Sequence, residues 1–584
     1  MIKFGELQAD LPAYQNSGAL KADNVIPLKD GYKSFAGFQA LSTTGLTGSA
    51  VGLFSAFQED GVTNYAGDAT KLYQMNSSQE FIDKSKAGGY SNSTTEGSRD
   101  YWAFTQFGTN IIATNHADYI QKFNEGTDSL FSDLVSFKSK YITVINNFVV
   151  SGYTTEYDTA KTFDSNTISS NQITITSHGW VTGDTVIYDK NGNTALTNLT
   201  DGSTYYVIYV SANAIKLATT SANATAGTAI TLTATGGSET HKLQKFDVNN
   251  QRVKWSALND SSDWTPSQAT QSGYQDVVGP HGNLMGIIGG EQSGIVIFER
   301  AIYRMSYVGT PLIFRFDKIA DNVGAFCDKS IASFGNMIFF LAQDGFYMLT
   351  GGQQLTPIGN GKIDNFFFDD ISSQIDGVCS AVDPNNSIVV WSYRGGTGSA
   401  STTSNINNKL VIYNYAVNKW STGSGLELEY ISSASQEAFT TLESLDVLGD
   451  LDNLPKSLDS YYYGEGIVGL AGFNSANKFG KFIATSLSAT VDTTEFEGVE
   501  NRRSIILNCR PIVDGLGNTT VTVTPIARSS QLDSVDVGTA VSTQDNGVCP
   551  LRSNSRYHRM RVSVTGNFTT MSGVDVEARP EGRR

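Results

Sequence analysis

Long apolar runs are missing from this chain. None of its 584 residues lies in an uninterrupted hydrophobic stretch near the roughly 18 that a membrane-spanning helix needs. Charge is also scarce: Asp, Glu, Lys and Arg make up 17%, against about a quarter in ordinary globular proteins. The four cysteines, Cys327, Cys379, Cys509 and Cys549, are too few and too far apart for a disulfide framework or a thiolate metal site, and they are expected to be buried free thiols. The opening residues Met1-Ile2-Lys3-Phe4-Gly5-Glu6 lack an apolar core of the signal-peptide kind, which predicts folding in a reducing cytoplasm. Convincing long helical periodicity is absent as well.

Catalytic and cofactor motifs are equally missing. The five histidines, His116, His178, His241, His281 and His558, show no HExxH or i, i+4 pairing, so no metal is expected. The string Gly290-Glu291-Gln292-Ser293-Gly294 has the wrong spacing for a nucleophile elbow, and Gly361-Lys362 is followed by Ile363 rather than Ser or Thr. Asp189-Lys190-Asn191-Gly192-Asn193 begins like a calcium loop but lacks the sixth-position Gly and the closing Glu, which leaves a hairpin turn. Asp369-Asp370 and Glu427/Glu429 are carboxylate pairs whose pKa values nothing in the sequence separates. The expectation is a non-enzyme without cofactor.

What is abundant is turn and strand chemistry: 57 Gly, 26 Tyr and 31 Phe, with many Ser, Thr and Asn. Small polar residues supply turns, and aromatic and β-branched residues suit pleated, half-buried surfaces. A unit recurs in which an apolar run, a turn with an acidic residue, and a second apolar run follow one another. It appears at residues 49–75, 104–123, 284–305 and 331–349, and as Ile388-Val389-Val390-Trp391 with Leu410-Val411-Ile412-Tyr413. Fainter copies lie at 141–153 with 252–255, and at 461–473. Sheets of this kind, repeating every few tens of residues, cannot bury both faces alone and must pack side by side. The pattern predicts an all-β chain: an extended segment over 1–44, a β-propeller of six or seven blades over 45–480, and a C-terminal β-sandwich over 481–584.

Two stretches interrupt the rhythm. Residues 163–245 are nearly free of charge and carry hairpin signals at Asn191-Gly192 and Asp201-Gly202, which predicts a small β domain inserted into a blade. Residues 440–459 space Leu442, Leu445, Leu448 and Leu451 as a short amphipathic helix would, before a crossing at Pro455.

The formal net charge is −16, which excludes a general nucleic-acid binder of the basic-patch kind. Residues 501–584 depart from it, with 11 Arg, no Lys and 7 acidic residues. Around the strand expected at 558–564, Arg552, Arg556, Arg559 and Arg561 form a candidate interface, with Arg559, Arg561 and Tyr557 on one face. Their expected partners are carboxylates of a neighbouring subunit, of a docking protein, or of their own sandwich.

Several local strings carry a family resemblance. They include Arg252-Val253-Lys254-Trp255-Ser256-Ala257-Leu258-Asn259-Asp260 with Asp263-Trp264-Thr265-Pro266-Ser267, Gly286-Ile287-Ile288-Gly289-Gly290 with Ile297-Phe298-Glu299-Arg300-Ala301-Ile302-Tyr303, and Asp344-Gly345-Phe346-Tyr347. Asn24-Val25-Ile26-Pro27, Leu454-Pro455-Lys456-Ser457-Leu458-Asp459 and Ser555-Arg556-Tyr557-His558-Arg559-Met560-Arg561 belong with them. Together these resemble the tail nozzle proteins of short-tailed bacteriophages (podoviruses), also called tail tubular protein B or packaged-DNA stabilisation proteins. Within the insertion, Ser177-His178-Gly179-Trp180-Val181-Thr182-Gly183-Asp184 resembles a β module that recurs in phage virion proteins. The resemblance implies a structural virion protein assembled in the host cytoplasm. It implies a homo-hexameric ring below a portal adaptor, in contact with tail fibre or needle proteins. Double-stranded DNA is retained by the ring and then passes through its lumen without specific binding. An acidic body accords with that, since each phosphate contact would slow passage. Two alternatives remain: a carbohydrate-binding, receptor-binding propeller, which predicts exposed Trp or Tyr on one face, and a propeller polysaccharide hydrolase, which predicts clustered axial carboxylates.

Overall fold

The computed structural model describes residues 1–58, 61–93, 99–235, 237, 239–371, 375–396, 406–435, 468–516 and 519–581. The leucine-spaced stretch at 440–459 lies outside them. Among the described residues almost every regular element is a strand, and no helix is long and apolar enough to cross a membrane.

Among the described residues, seven four-stranded antiparallel ladders follow one another along the chain as propeller blades, three as separate sheets and four within larger ones. Blade 1 holds Gly52–Gln58, Gly61–Gly67, Leu72–Met75 and Phe81–Asp83. Blade 2 holds Ala103–Phe107, Asn110–Thr114, Tyr119–Asn124 and the first part of Ser132–Ile145. The second part of that strand is the inner strand of blade 3, followed by Phe148–Tyr157, the end of Thr240–Trp255, and Gly273–Asp276. Blade 4 spans Leu284–Ile288 to Ile313–Asp321, and blade 5 Ala332–Phe334 to Gln354–Pro357. Blade 6 holds Cys379–Asp383, Ile388–Tyr393, Asn407–Asn414 and the first part of Lys419–Ser435. That last strand turns at Gly425, whose φ of 81° favours glycine, and its second part opens blade 7.

Blade 7 continues through Val468–Asn474 and Phe479–Ser486. Its outer strand comes from the other end of the chain, Ala36–Ala40, in register Gly480↔Ala40 and Lys481↔Gln39. Residues from both ends of the propeller segment thus close one sheet. The fit is tight: a Cβ on Gly480 would meet the Gln39 carbonyl oxygen at 2.1 Å.

Large side chains wedge the blades together. The Trp102 ring fills the space that glycine leaves at Gly67 of blade 1, the Trp102 Cβ and the Phe104 ring pack over Gly52, and Trp102 Nε1 donates to the Asp68 carbonyl at 2.9 Å. Trp391 Nε1 donates to the Ser330 carbonyl and Trp420 Nε1 to the Ile358 carbonyl, both at 2.9 Å, tying blade 6 to blade 5. Leu284 and Ile287 of blade 4 pack over Gly152 of blade 3. At the closing seam, the buried Glu429 carboxylate of blade 7 accepts from the Ser49 hydroxyl and the Ala50 N–H, and the Ser435 N–H donates to Ser55 Oγ of blade 1. The acidic residue of the repeat has a structural task as well. Fully buried Asp68 accepts from the backbone N–H of Gly48, Thr70 and Lys71 and from the hydroxyls of Thr47 and Tyr73, so it fixes a blade turn.

The inserted domain grows out of blade 3 between its second and third strands. Phe148–Tyr157 and Thr240–Trp255 pair from Val150↔Trp255 out to Tyr157↔Phe246. Beyond that point Thr240–Trp255 pairs instead with Lys161–Asp164 and Thr185–Asp189. The insertion has its own core, including Phe163, Trp180, Tyr188, Val207, Leu217 and Leu243. Its root is clamped by Arg252, bidentate to Asp276 at 2.6 and 2.8 Å, with Glu156 bridging Arg252 and Lys254 at 3.1 and 3.0 Å.

The C-terminal sandwich draws on both chain ends. One sheet runs Val25–Pro27, Tyr32–Ser34, Phe568–Pro580, Ser504–Gly515, Cys549–Ser555, with Ile2–Lys3 beside Phe568–Pro580. The other runs Ala22–Asp23, Ala489–Asp492, Tyr557–Thr565, Thr520–Arg528, Asp536–Val537. Residues 1–34 are therefore part of the sandwich, not a free-standing extended segment, and the blade strand Phe479–Ser486 runs past the expected boundary at 480. A parallel bridge, Asp23↔Thr422, carries the second sheet into blade 6. All four cysteines are buried free thiols, and burial pushes Cys379 and Cys549 up to about 11.

Because the insertion has a separate core and leaves a paired ribbon, it is removable. Replacing residues 158–245 by Asn-Gly turns Tyr157 and Phe246 into the ends of a two-residue hairpin. The variant is expected to be soluble and to unfold within about 5 °C of wild type, the shift that one or two kcal/mol gives in a protein this large. Aggregated protein without a cooperative transition would show instead that the insertion supports the propeller core.

Candidate functional site

The candidate arginines occupy one sandwich strand and the turn before it. In Tyr557–Thr565 the residues alternate, with His558, Met560, Val562 and Val564 inward and Tyr557, Arg559 and Arg561 outward. Asp492 of the neighbouring strand, 1% exposed, receives Arg561 bidentately at 2.7 and 2.9 Å and lies 3.5 Å from Arg559. Arg556 Nε donates to Glu497 at 3.0 Å. Arg528 on the next strand meets Glu495 at 2.6 Å. Three of the four candidates therefore pair within their own sandwich, and only Arg552 is exposed without an ion pair among the described residues. Sequence spacing showed which arginines share a face. It could not show Asp492, which lies nearly seventy residues upstream.

The histidines are structural. His178 Nδ1 accepts the Trp180 N–H at 2.9 Å, so its Nε2 carries the proton donated to the Ser211 carbonyl. His241 pairs with the Tyr188 hydroxyl, His281 with the Val277 carbonyl, and His558 with Ser504 and Ser555. Burial pushes His116 down to about 4. Among the described residues no group of His, Cys, Asp and Glu could hold a metal. The carboxylate pairs of the sequence also separate. Asp369 is exposed, while Asp370 is held by Lys409 Nζ at 2.7 Å and by the Tyr393 hydroxyl. Glu427 faces Ser475, and Glu429 faces the blade 1 seam.

A charged cluster that the sequence did not reveal sits at one end of the propeller axis. It forms where the chain enters the inner strands of blades 2, 3, 5 and 6, so its members come from four distant segments. Lys140 Nζ lies 3.3 Å from Asp328, whose side chain is 10% exposed. Arg99 donates to the Tyr101 hydroxyl at 3.1 Å, which donates in turn to the Asp376 carbonyl at 2.9 Å. Lys329 Nζ donates to the Trp102 carbonyl at 3.1 Å and lies over the Tyr101 ring. The Asp328 charge lifts Lys140 well above the ordinary lysine range despite burial. Burial works to raise Asp328, but Lys140 and Lys329 outweigh it and hold its carboxyl low. Asp100 is raised, by burial first and by repulsion from Asp328, with Lys140 opposing. The two acids are thus pushed apart, and Lys140 is ion-paired with Asp328.

All six tryptophans are buried. The most exposed tyrosines among the described residues, Tyr14, Tyr209 and Tyr274, lie on the N-terminal segment, the insertion and the rim of blade 3, so they form no common platform.

No family model matches the chain, and no curated protein does. Among solved structures, the computationally designed Ika8 protein aligns at 12% identity and a TM-score of 0.29, over 67% of this chain and 93% of its own. Phage phi92 endosialidase aligns at 10% and 0.24 over 75% and 68%. An exo-beta-1,3-galactanase from Phanerochaete chrysosporium aligns at 10% and 0.23 over 93% and 100%. At these scores the likenesses bear on neither activity nor ligand.

Two outcomes follow from the ion pairs. Asp328→Asn leaves Lys140 without its counter-charge and is expected to destabilise by about 3 kcal/mol. Because the folded carboxyl is held low, its contribution is full above the unfolded value of about 4 and is lost as pH falls through the folded value. Wild type and variant should therefore converge in acid, and equal spacing of their urea midpoints from pH 7 to 3 would contradict this. Arg559→Ala with Arg561→Ala leaves Asp492 buried and unpaired, so the monomer itself should lose about 3 kcal/mol in thermal or urea unfolding. Unchanged unfolding would return these two arginines to an intermolecular role.

Proposed function

We propose that the chain is a structural virion protein, the nozzle ring of a short phage tail that retains packaged DNA and conducts it at infection, and that it is not an enzyme. The observation that carries this is mechanical continuity. Blade 3 runs without a hinge into the insertion, and blade 6 runs into the sandwich through Asp23↔Thr422. Such a body suits a wall that bears load between an adaptor above and fibre or needle proteins at its flank. Two of the strings that carry the resemblance support the same reading, because they build the frame: Glu299-Arg300 is the turn between Ser293–Phe298 and Ala301–Gly309, and Arg556-Tyr557 enters a sandwich strand. The acidic body favours passage of DNA over binding. The test is native mass together with particle images of the full-length protein or of virions. Closed six-membered rings are expected. A chain that never assembles and is absent from virions would overturn the reading.

A second reading has one observation in its favour. A carboxyl pushed up beside one held down is the pattern of an acid–base pair, and Asp100 and Asp328 show it at the axis. They would serve a polysaccharide hydrolase. Hydrolysis of host capsule that Asp100→Asn abolishes, in a variant that still folds, would favour this reading over the nozzle. A glycan array with binding lost on Tyr209→Ala would favour the receptor-binding alternative.

A further inference from the structure

Residues 529–540 are exposed at every position, between the sandwich strands Thr520–Arg528 and Cys549–Ser555. The segment is tethered to the edge of Thr520–Arg528 by the short strands Asp536–Val537 and Val541–Ser542 and by Arg528, whose Nη1 donates to the Gln531 carbonyl at 3.0 Å. It carries large apolar side chains into solvent: Leu532 is 97% exposed and Val537 55%. Asp533 and Asp536 stand between them without ion-pair partners among the described residues. An ordered arm that presents leucine and valine to water is stable in solution only at a solubility cost, and such features mark contact surfaces.

The complementary chemistry lies on the opposite sheet of the same sandwich. Along Ser504–Gly515 the outward residues include Arg510, Ile512 and Asp514, with Asp575 of Phe568–Pro580 opposite Arg510 and paired to the Met1 amine, and along Cys549–Ser555 they include Arg552. Arg510 and Arg552 have no ion pair or side-chain hydrogen bond among the described residues. Ile512 is 36% exposed. The arm and the face belong to different sheets of one sandwich, and among the described residues no ion pair joins Asp533 or Asp536 to Arg510 or Arg552 within a copy. The chain as a whole is strongly acidic, and two copies repel except where a basic patch meets an acidic one.

We infer that the 529–540 arm of one copy docks on the Arg510–Arg552 face of the next copy's sandwich. Arm and face are different surfaces, so the contact is head-to-tail, the kind that generates a ring when the rotation closes. The inference rests on the nozzle reading for the ring, and it assigns the surfaces that join the copies.

The test is sedimentation of the full-length chain over a concentration series. Asp533→Arg with Asp536→Arg should weaken self-association about tenfold or more, and so should Arg510→Glu with Arg552→Glu, with thermal unfolding unchanged. Combining all four substitutions should restore association, because the charges are complementary again. Leu532→Ser with Val537→Ser provides an independent loss without a charge change. Unchanged association in the reversed variants, failure of the combined variant to recover, or a wild type monomeric at every concentration would overturn the contact. Open chains or dimers dissolved by the same reversals would keep the contact and sink the ring. Closed rings indifferent to the reversals would keep the nozzle reading and sink the arm.

Discussion

A four-stranded blade with apolar residues on both faces is stable only between two neighbours, and the first and last blades have two neighbours only if the ring closes. Closure here depends on the pairing of Ala36–Ala40 with Phe479–Ser486. These strands are more than four hundred residues apart in sequence, so their pairing is among the entropically costly contacts of the fold. It is offset by everything the closed ring buries at once: the aromatic seam of Phe81 with Phe473 and Phe479, the packing of Phe38 and Phe35 on Phe482, and the Glu429 hydrogen bonds across to blade 1. None of these contacts exists in an open ring.

The same segment couples the propeller to the sandwich. Residues 1–34 give strands to both sandwich sheets, and two residues later the chain enters blade 7. Fully buried Trp391 and Trp420 share one continuous apolar cluster with sandwich residues such as Val491, Val562 and Met571. Propeller and sandwich are therefore one packed body. The insertion differs: it shares a ladder with blade 3 but keeps a separate core. Stiffness along its stem comes from hydrogen bonds and the Glu156–Arg252–Asp276 clamp, while its stability is its own.

The sequence made the second and third strands of most blades legible, because strands buried on both faces read as continuous apolar runs such as Met337-Ile338-Phe339-Phe340. Outer strands were obscure. Gln354–Pro357 and Gly273–Asp276 are short and mixed in character, with edges in water. Cys549–Ser555 contains Pro, Arg, Asn and two Ser, and it is a strand only because its alternate residues Leu551, Ser553 and Ser555 enter the sandwich core. The two long strands shared by adjacent blades hide the blade boundary, since nothing local marks where a ladder changes partner. The shared face of Arg559 and Arg561 followed from strand alternation, but their partner did not, and the axial cluster of Lys140, Asp328, Arg99 and Lys329 exists only once blades from distant segments meet. Charge composition alone could say that the arginine-bearing end differs from the body. It could not say that Arg528, Arg556, Arg559, Arg561 and Arg579 are ion-paired within the sandwich.

The most direct test of this account is native-state amide hydrogen exchange on the two strands that close the ring. If closure is the constraint on which the fold depends, the amides of Ala36–Ala40 and Phe479–Ser486 that pair with each other exchange only by global unfolding, with the same free energy as the inner strands Gly52–Gln58 and Cys379–Asp383. Exchange of Ala36–Ala40 on the timescale of exposed loops, with the inner strands still protected, would contradict it and show a propeller that stands without its N-terminal strand.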